Sequence, residues 1–128
     1  MAKMIAGTDY SGLEIAVEGV FNAIFKGRVF NTAILANIDI FGSDLVPTGS
    51  YTTFRIYACL DTAGVLTVRR TRGGVTVSEQ LNAGVNLAAN AAYMFDILVE
   101  GDETINLQYS VNAVAISIKV FEVPGVTS

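Results

Sequence analysis

The chain has 128 residues, 52% of them apolar and only 16% charged, with a mean hydropathy of +0.49; an ordinary globular domain carries about 25% charged residues. A net charge of −4 argues against a nucleic-acid or anionic-membrane binder, and the absence of histidine removes the usual general base and any Ser-His-Asp or Cys-His arrangement. The single cysteine, Cys59, excludes an intrachain disulfide, and no segment approaches the roughly 20 apolar residues that cross a bilayer.

In chain order, residues 1–12 mix small and polar residues without periodicity and contain no apolar run of signal-peptide length. They read as a flexible N-terminal arm on a protein folded in the cytoplasm. Residues 13–128 read as one domain, long enough to bury roughly two thirds of its unfolded surface. Within it, residues 13–32 support two readings. As a helix, Ser11 caps with Glu14, Leu13, Val17, Val20, Phe21 and Ile24 share a face, and Gly27 ends it. As strands, Leu13, Ile15 and Val17 alternate with polar or small residues, and Phe21, Ala23 and Phe25 turn back through Lys26-Gly27-Arg28. Gly12, Gly19 and the β-branched and aromatic content favour strands.

From Thr32 the alternation of Ile34, Ala36, Ile38 and Ile40 predicts a strand that closes at Gly42-Ser43-Asp44. Pro47 and Gly49 place a loop before Ser50. Phe54, Ile56, Ala58 and Leu60 then mark an inward face, with Thr53, Arg55, Tyr57 and Cys59 outward. Asp61–Gly64 turns into Val65–Thr71, and Arg72-Gly73-Gly74 turns into Val75–Leu81; both read as hairpins. Asn82–Asn90 is a polar and small-residue connection.

The strongest alternation runs from Ala91 to Phe121, as three strands separated by Gly101-Asp102 and the Asn112 region. Tyr93, Phe95, Ile97 and Val99, then Ile105, Leu107, Tyr109 and Val111, then Val114, Ile116, Ile118 and Val120 predict the inner wall of an antiparallel sheet. Asp96, Asn106, Gln108, Ser110, Ser117 and Lys119 fall on the opposite faces. Short strands at this spacing predict an all-β fold, an antiparallel two-sheet sandwich, jelly-roll-like, with about eight strands.

No group of residues assembles an obvious chemistry. Cys59 has no basic neighbour in sequence and reads as a small structural hydrophobe. Glu100, Asp102 and Glu103 around Gly101 are the one dense carboxylate group and the only metal candidates. Three carboxylates on one turn do not complete a calcium shell, so turn formation and solubility account for them and no cofactor is expected. Arg69, Arg70 and Arg72 form the one basic cluster. Alternation sends Arg69 and Arg70 to opposite faces, so the expected role is ion pairing across a subunit interface with Glu79, Glu100 or Asp102. Tyr57 is the best exposed ring, both an interface candidate and a minimal platform for a sugar, while most other aromatics read as core.

The runs Thr53–Ala58, Asp61–Arg70 and Val75–Asn82, with Tyr93-Met94-Phe95 and Gly101–Ser110, resemble small β-sandwich proteins encoded among the virion structural genes of tailed phages and related viruses. The strand Gly101-Asp102 through Asn106-Leu107 to Tyr109-Ser110 is also similar to late strands of trimeric jelly rolls of the tumour-necrosis-factor and complement type. The similarity covers about residues 50–123. It implies a homo-oligomeric decoration, cement or fibre-type protein with no catalytic residues.

The low charge content points the same way, since obligate interfaces are depleted in charge. The expectation is therefore a non-enzymatic structural protein of the virion that binds copies of itself, a trimer being one such form, and a viral capsid or other protein lattice. No nucleic-acid or membrane partner is expected. An extracellular filament subunit donating its N-terminal strand and a carbohydrate-binding module are the alternatives.

Overall fold

In the computed structural model, residues 23–124 are described; the arm over 1–12 and the first part of the 13–32 segment lie outside them. Seven strands follow one another: β1 (Ile24–Ile34), β2 (Tyr51–Leu60), β3 (Leu66–Arg72), β4 (Val75–Gln80), β5 (Ala92–Glu100), β6 (Thr104–Tyr109) and β7 (Ala113–Pro124). They form two antiparallel sheets. Sheet A has the order β1-β7-β2-β5 and sheet B the order β4-β3-β6. The core comes from the alternation expected of strands buried on one face. Phe54, Ile56, Ala58 and Leu60 of β2 meet Leu66 and Val68 of β3, Ile97 and Val99 of β5, and Ile105, Leu107 and Tyr109 of β6 in one buried cluster.

The segment after β1 departs from the expected strand over residues 32–40. Regular pairing stops at Ile34, and three residues on Asn37 takes a left-handed backbone, φ 61°, away from the extended region. The chain nevertheless runs along the free side of β6. Asn37 N–H donates to Tyr109 O (2.7 Å), Ile40 N–H to Leu107 O (2.8 Å), and Leu45 and Ile105 exchange backbone bonds of 2.7 and 3.0 Å. Counting this irregular stretch as an eighth position beside β6, each sheet has four positions and the order is that of a jelly roll.

That order corrects several local expectations. β2–β3, β5–β6 and β6–β7 are arches from one sheet to the other rather than hairpins or sheet neighbours. Only β3–β4 is a hairpin, closed by Gly73 and Gly74 at φ 56° and 81°, as a two-residue turn of this hand requires. β1 runs straight through Lys26-Gly27-Arg28 with a one-residue irregularity, so no turn lies there. β7 slips by one residue against β2 at Ile116. A slip of one moves side chains to the other face, and so Ala115, Ile118, Val120 and Glu122 are buried while Val114 and Ile116 are half-buried. The Asn82–Asn90 connection is less polar in role than in composition, since Leu87 is buried and exchanges backbone bonds with Gly64.

Candidate interaction surfaces

Three surface regions hold the residues that the sequence singles out. The first is the outer face of sheet A. Register places cross-strand rows there: Phe25–Phe121–Arg55–Asp96, then Arg28–Lys119–Tyr57–Met94, then Phe30–Ser117–Cys59–Ala92. The rings meet edge-on, Phe25 with Phe121 at 5.7 Å between centroids and Tyr57 with Phe121 at 6.3 Å, a favoured aromatic geometry. Phe30 is 71% exposed and Phe25 54%, with Met94 and Leu98 also exposed on the same face. A small recess of about 120 Å³ lies between Ala23, Arg55, Tyr57, Phe121 and Val123.

Charge on this face is uneven. Arg55 and Asp96 form a bidentate pair at 2.8 and 2.9 Å, which holds the Asp96 carboxyl below the usual carboxylate range. Arg28 and Lys119 sit directly opposite each other, an unfavourable like-charge arrangement, and no carboxylate of the described residues pairs with either. Each instead lies over a ring, Arg28 over Phe25 at 6.0 Å and Lys119 over Tyr57 at 5.7 Å. Tyr57 is thus half-buried, covered on one side by Lys119 and flanked by Phe121, rather than a lone platform. Phe25, Phe30 and Phe121 lie outside the core, against the expectation for most of the aromatics. Their grouping depends on pairing between β1 and β7, a long-range pair formed by Ile24–Ile34 and Ala113–Pro124, which local alternation does not specify.

The second region is the end of the sandwich near the β5–β6 arch. Arg72 pairs with Glu100 (2.7 Å) and Asp102 (2.9 Å), and Arg70 with Glu79 (2.9 Å) and Glu103 (3.1 Å). Arg70 also donates to Leu98 O at 2.7 Å, linking β3 to β5. The partners expected across a subunit interface are therefore engaged within one chain. Glu100, Asp102 and Glu103 serve as counter-ions to arginine, and no metal-binding group of His, Cys, Asp or Glu occurs among the described residues. An open groove of about 570 Å³ runs beside them, lined by Pro47–Tyr51, Arg72 and Glu100–Asp102.

The third region is the outer face of sheet B, and it contains polar residues that sequence reasoning missed. Arg69 lies on the face opposite Arg70, as alternation requires, and binds Asp39 (2.8 and 2.9 Å) and Asp44 (2.6 Å) from the irregular segment. Asn106, read as a solvent-facing residue, is 1% exposed. Its side chain accepts from Phe41 N–H (3.0 Å) and donates to Phe41 O (2.9 Å) and Asp44 (3.1 Å). The hydrogen bond from Asn106, then that from Arg69, holds the Asp44 carboxyl below its ordinary value, and Arg69 does the same for Asp39.

The continuation of that segment, at Thr48 and Gly49, meets Glu122, which is 1% exposed near the end of β7 in sheet A. Its carboxylate accepts from the amides of Thr48 (2.9 Å) and Gly49 (3.3 Å) and from Lys26 Nζ (3.1 Å). Burial pushes this carboxyl up, and the Thr48 and Lys26 hydrogen bonds outweigh it, leaving the group below the usual range. Cys59 is free and half-buried. No protein-family model matches the chain, and no curated protein matches it.

Proposed function

We propose that this chain is a non-enzymatic structural protein of a virus particle, of the decoration, cement or fibre type, which docks on an ordered protein lattice through the outer face of sheet A. The carrying observation is the aromatic field of Phe25, Phe30, Tyr57 and Phe121 with Arg28 and Lys119 set among the rings. Aromatic residues and arginine are the side chains enriched at interface cores. Two adjacent cations lacking carboxylate partners among the described residues fit a partner surface that brings its own acidic group. The sandwich beneath supplies rigidity, since β2, β5 and β7 each bury side chains of their other face in the core and β1 packs Val29 and Ile34 on it.

The reading is tested by pelleting the purified chain with assembled capsid shells of tailed phages. The wild type is expected to co-sediment in fixed stoichiometry, and the double variant Arg28→Glu/Lys119→Glu to remain in the supernatant while keeping its far-UV spectrum. Equal binding by the variant, or no binding to any shell, contradicts the assignment.

A further inference from the structure

Sheet B has one edge that the described chain leaves bare. All six residues of β4 are exposed. The strand holds an unbroken register with β3 and contains no proline, lysine or bulge, the devices that ordinarily blunt an edge against pairing. Register sets Val75, Val77 and Glu79 opposite Arg72, Arg70 and Val68, so they share the core-facing side of the sheet with buried Val68. Yet Val75 is 64% exposed and Val77 56%. β4 overhangs the core, presenting apolar side chains from its inner face and unpaired backbone along its edge.

We infer that β4 pairs antiparallel with β4 of a second copy of this chain, about a two-fold axis at Val77. The Gly73-Gly74 turn makes Arg72–Val75 the first hydrogen-bonded pair of the hairpin, so the backbone groups of residues 75, 77 and 79 bond β3 while those of Thr76, Ser78 and Gln80 point outward. Pairing through Val77 then sets Thr76 against the partner's Ser78, with both exchanging N–H···O bonds, on each side of the axis. Val77 meets the partner's Val77, and Val75 lies opposite the partner's Glu79, so no like charges face each other. Glu79, the one charge on the strand, is already held by Arg70 at 2.9 Å. The hairpin tip offers no obstruction, since nothing stands within 4 Å of a Cβ built on Gly73 or Gly74. The product is a six-stranded sheet across two copies with the overhanging valines packed on each other. A single strand's contact falls below the roughly 1,200 Å² of standard interfaces, so the pairing is concentration-dependent.

This pairing deepens the assembly reading and is separable from it. Sedimentation of the full chain is expected to show a mass that rises twofold with concentration. Ser78→Pro removes one outward amide and leaves the β3 ladder intact, and Val77→Lys places a charge on the overhang. Both are expected to sediment as single chains with an unchanged thermal melt. In a Cys59→Ser background, Val77→Cys is expected to oxidise to a covalent dimer, because a non-hydrogen-bonded antiparallel pair sets its Cα atoms about 4.5 Å apart; Val85→Cys, equally exposed, is the control. A wild type of single-chain mass at every concentration overturns the inference, as does association that both variants leave intact. Disruption by Val77→Lys without cross-linking of Val77→Cys means that a different strand occupies the edge, and overturns the two-fold pairing. A β4 dimer that ignores capsid shells removes the proposed role and leaves the pairing standing; shell binding by a wild type that never dimerises does the reverse.

Discussion

The two edges of sheet B have been treated in opposite ways. Along β6 the chain lays its own segment 37–45, which bonds the β6 backbone at Tyr109, Leu107 and Ile105 and is fastened by Asn106 at Phe41, while Glu122 holds the loop that follows at Thr48 and Gly49. Along β4 the described residues lay nothing, and the strand there is regular, nearly uncharged and wholly exposed. A sheet edge is a template for pairing, and the described residues satisfy one template internally while leaving the other open. The contrast shows that low charge need not mean a uniformly adhesive surface. Exposed apolar residues lie on the outer face of sheet A, at the β4 overhang and on the segment beside β6 at Leu35 and Ile38, whereas the outer face of sheet B between β3 and that segment is ion-paired.

The covered edge breaks most severely at its buried carboxylate. Glu122→Ala strands Lys26 and the Thr48 and Gly49 amides, and removing one partner of a buried pair costs about 3–5 kcal/mol. Chemical denaturation is expected to show that loss, together with fast amide exchange at Thr48. Asn106→Ala comes next. It leaves Phe41 N–H and C=O without partners, at about 1–3 kcal/mol each, and is expected to release the segment from β6, turning the covered edge into a second bare one.

Acid acts on the same edge more gradually. The carboxyls of Asp39, Asp44 and Glu122 all stand below their ordinary values. The folded state therefore binds fewer protons than the unfolded one once pH drops into the ordinary carboxylate range. Stability is full above about pH 5 and declines as pH falls through about 4 and below. With no histidine in the chain, the melting temperature is expected to stay flat from about pH 5 to 9. At the alkaline end, burial raises the Tyr109 hydroxyl, so stability is lost as pH climbs past about 10. A thermal melt series across pH checks both limbs.

What could be read from the sequence follows from how local each feature is. Phe54 to Leu60 alternate within one unbroken strand, and all four of their inward residues are buried. Gly73-Gly74 carries its own turn chemistry. The segment 35–45 alternates just as well on paper, yet it follows an irregular course with Asn37 left-handed. The slip at Ile116 inverts half of β7, and nothing in AVAISIKVF marks it. Asn106 and Glu122 look like ordinary polar positions until the loops that cover them are in place. Among the surface candidates, the arginine cluster was legible as a site of ion pairing, but its intrachain partners depend on arches between sheets. The aromatic field on sheet A was hidden because its rings come from opposite ends of the chain.

The contrast between the edges is tested most directly by backbone amide exchange on the full chain at low and high protein concentration. The Ile40, Phe41 and Leu45 amides are expected to be protected at both concentrations, and the Thr76 and Ser78 amides to exchange freely when dilute and become protected when concentrated. Thr76 and Ser78 amides whose exchange does not respond to concentration, or a segment 37–45 that exchanges as fast as β4, would contradict it.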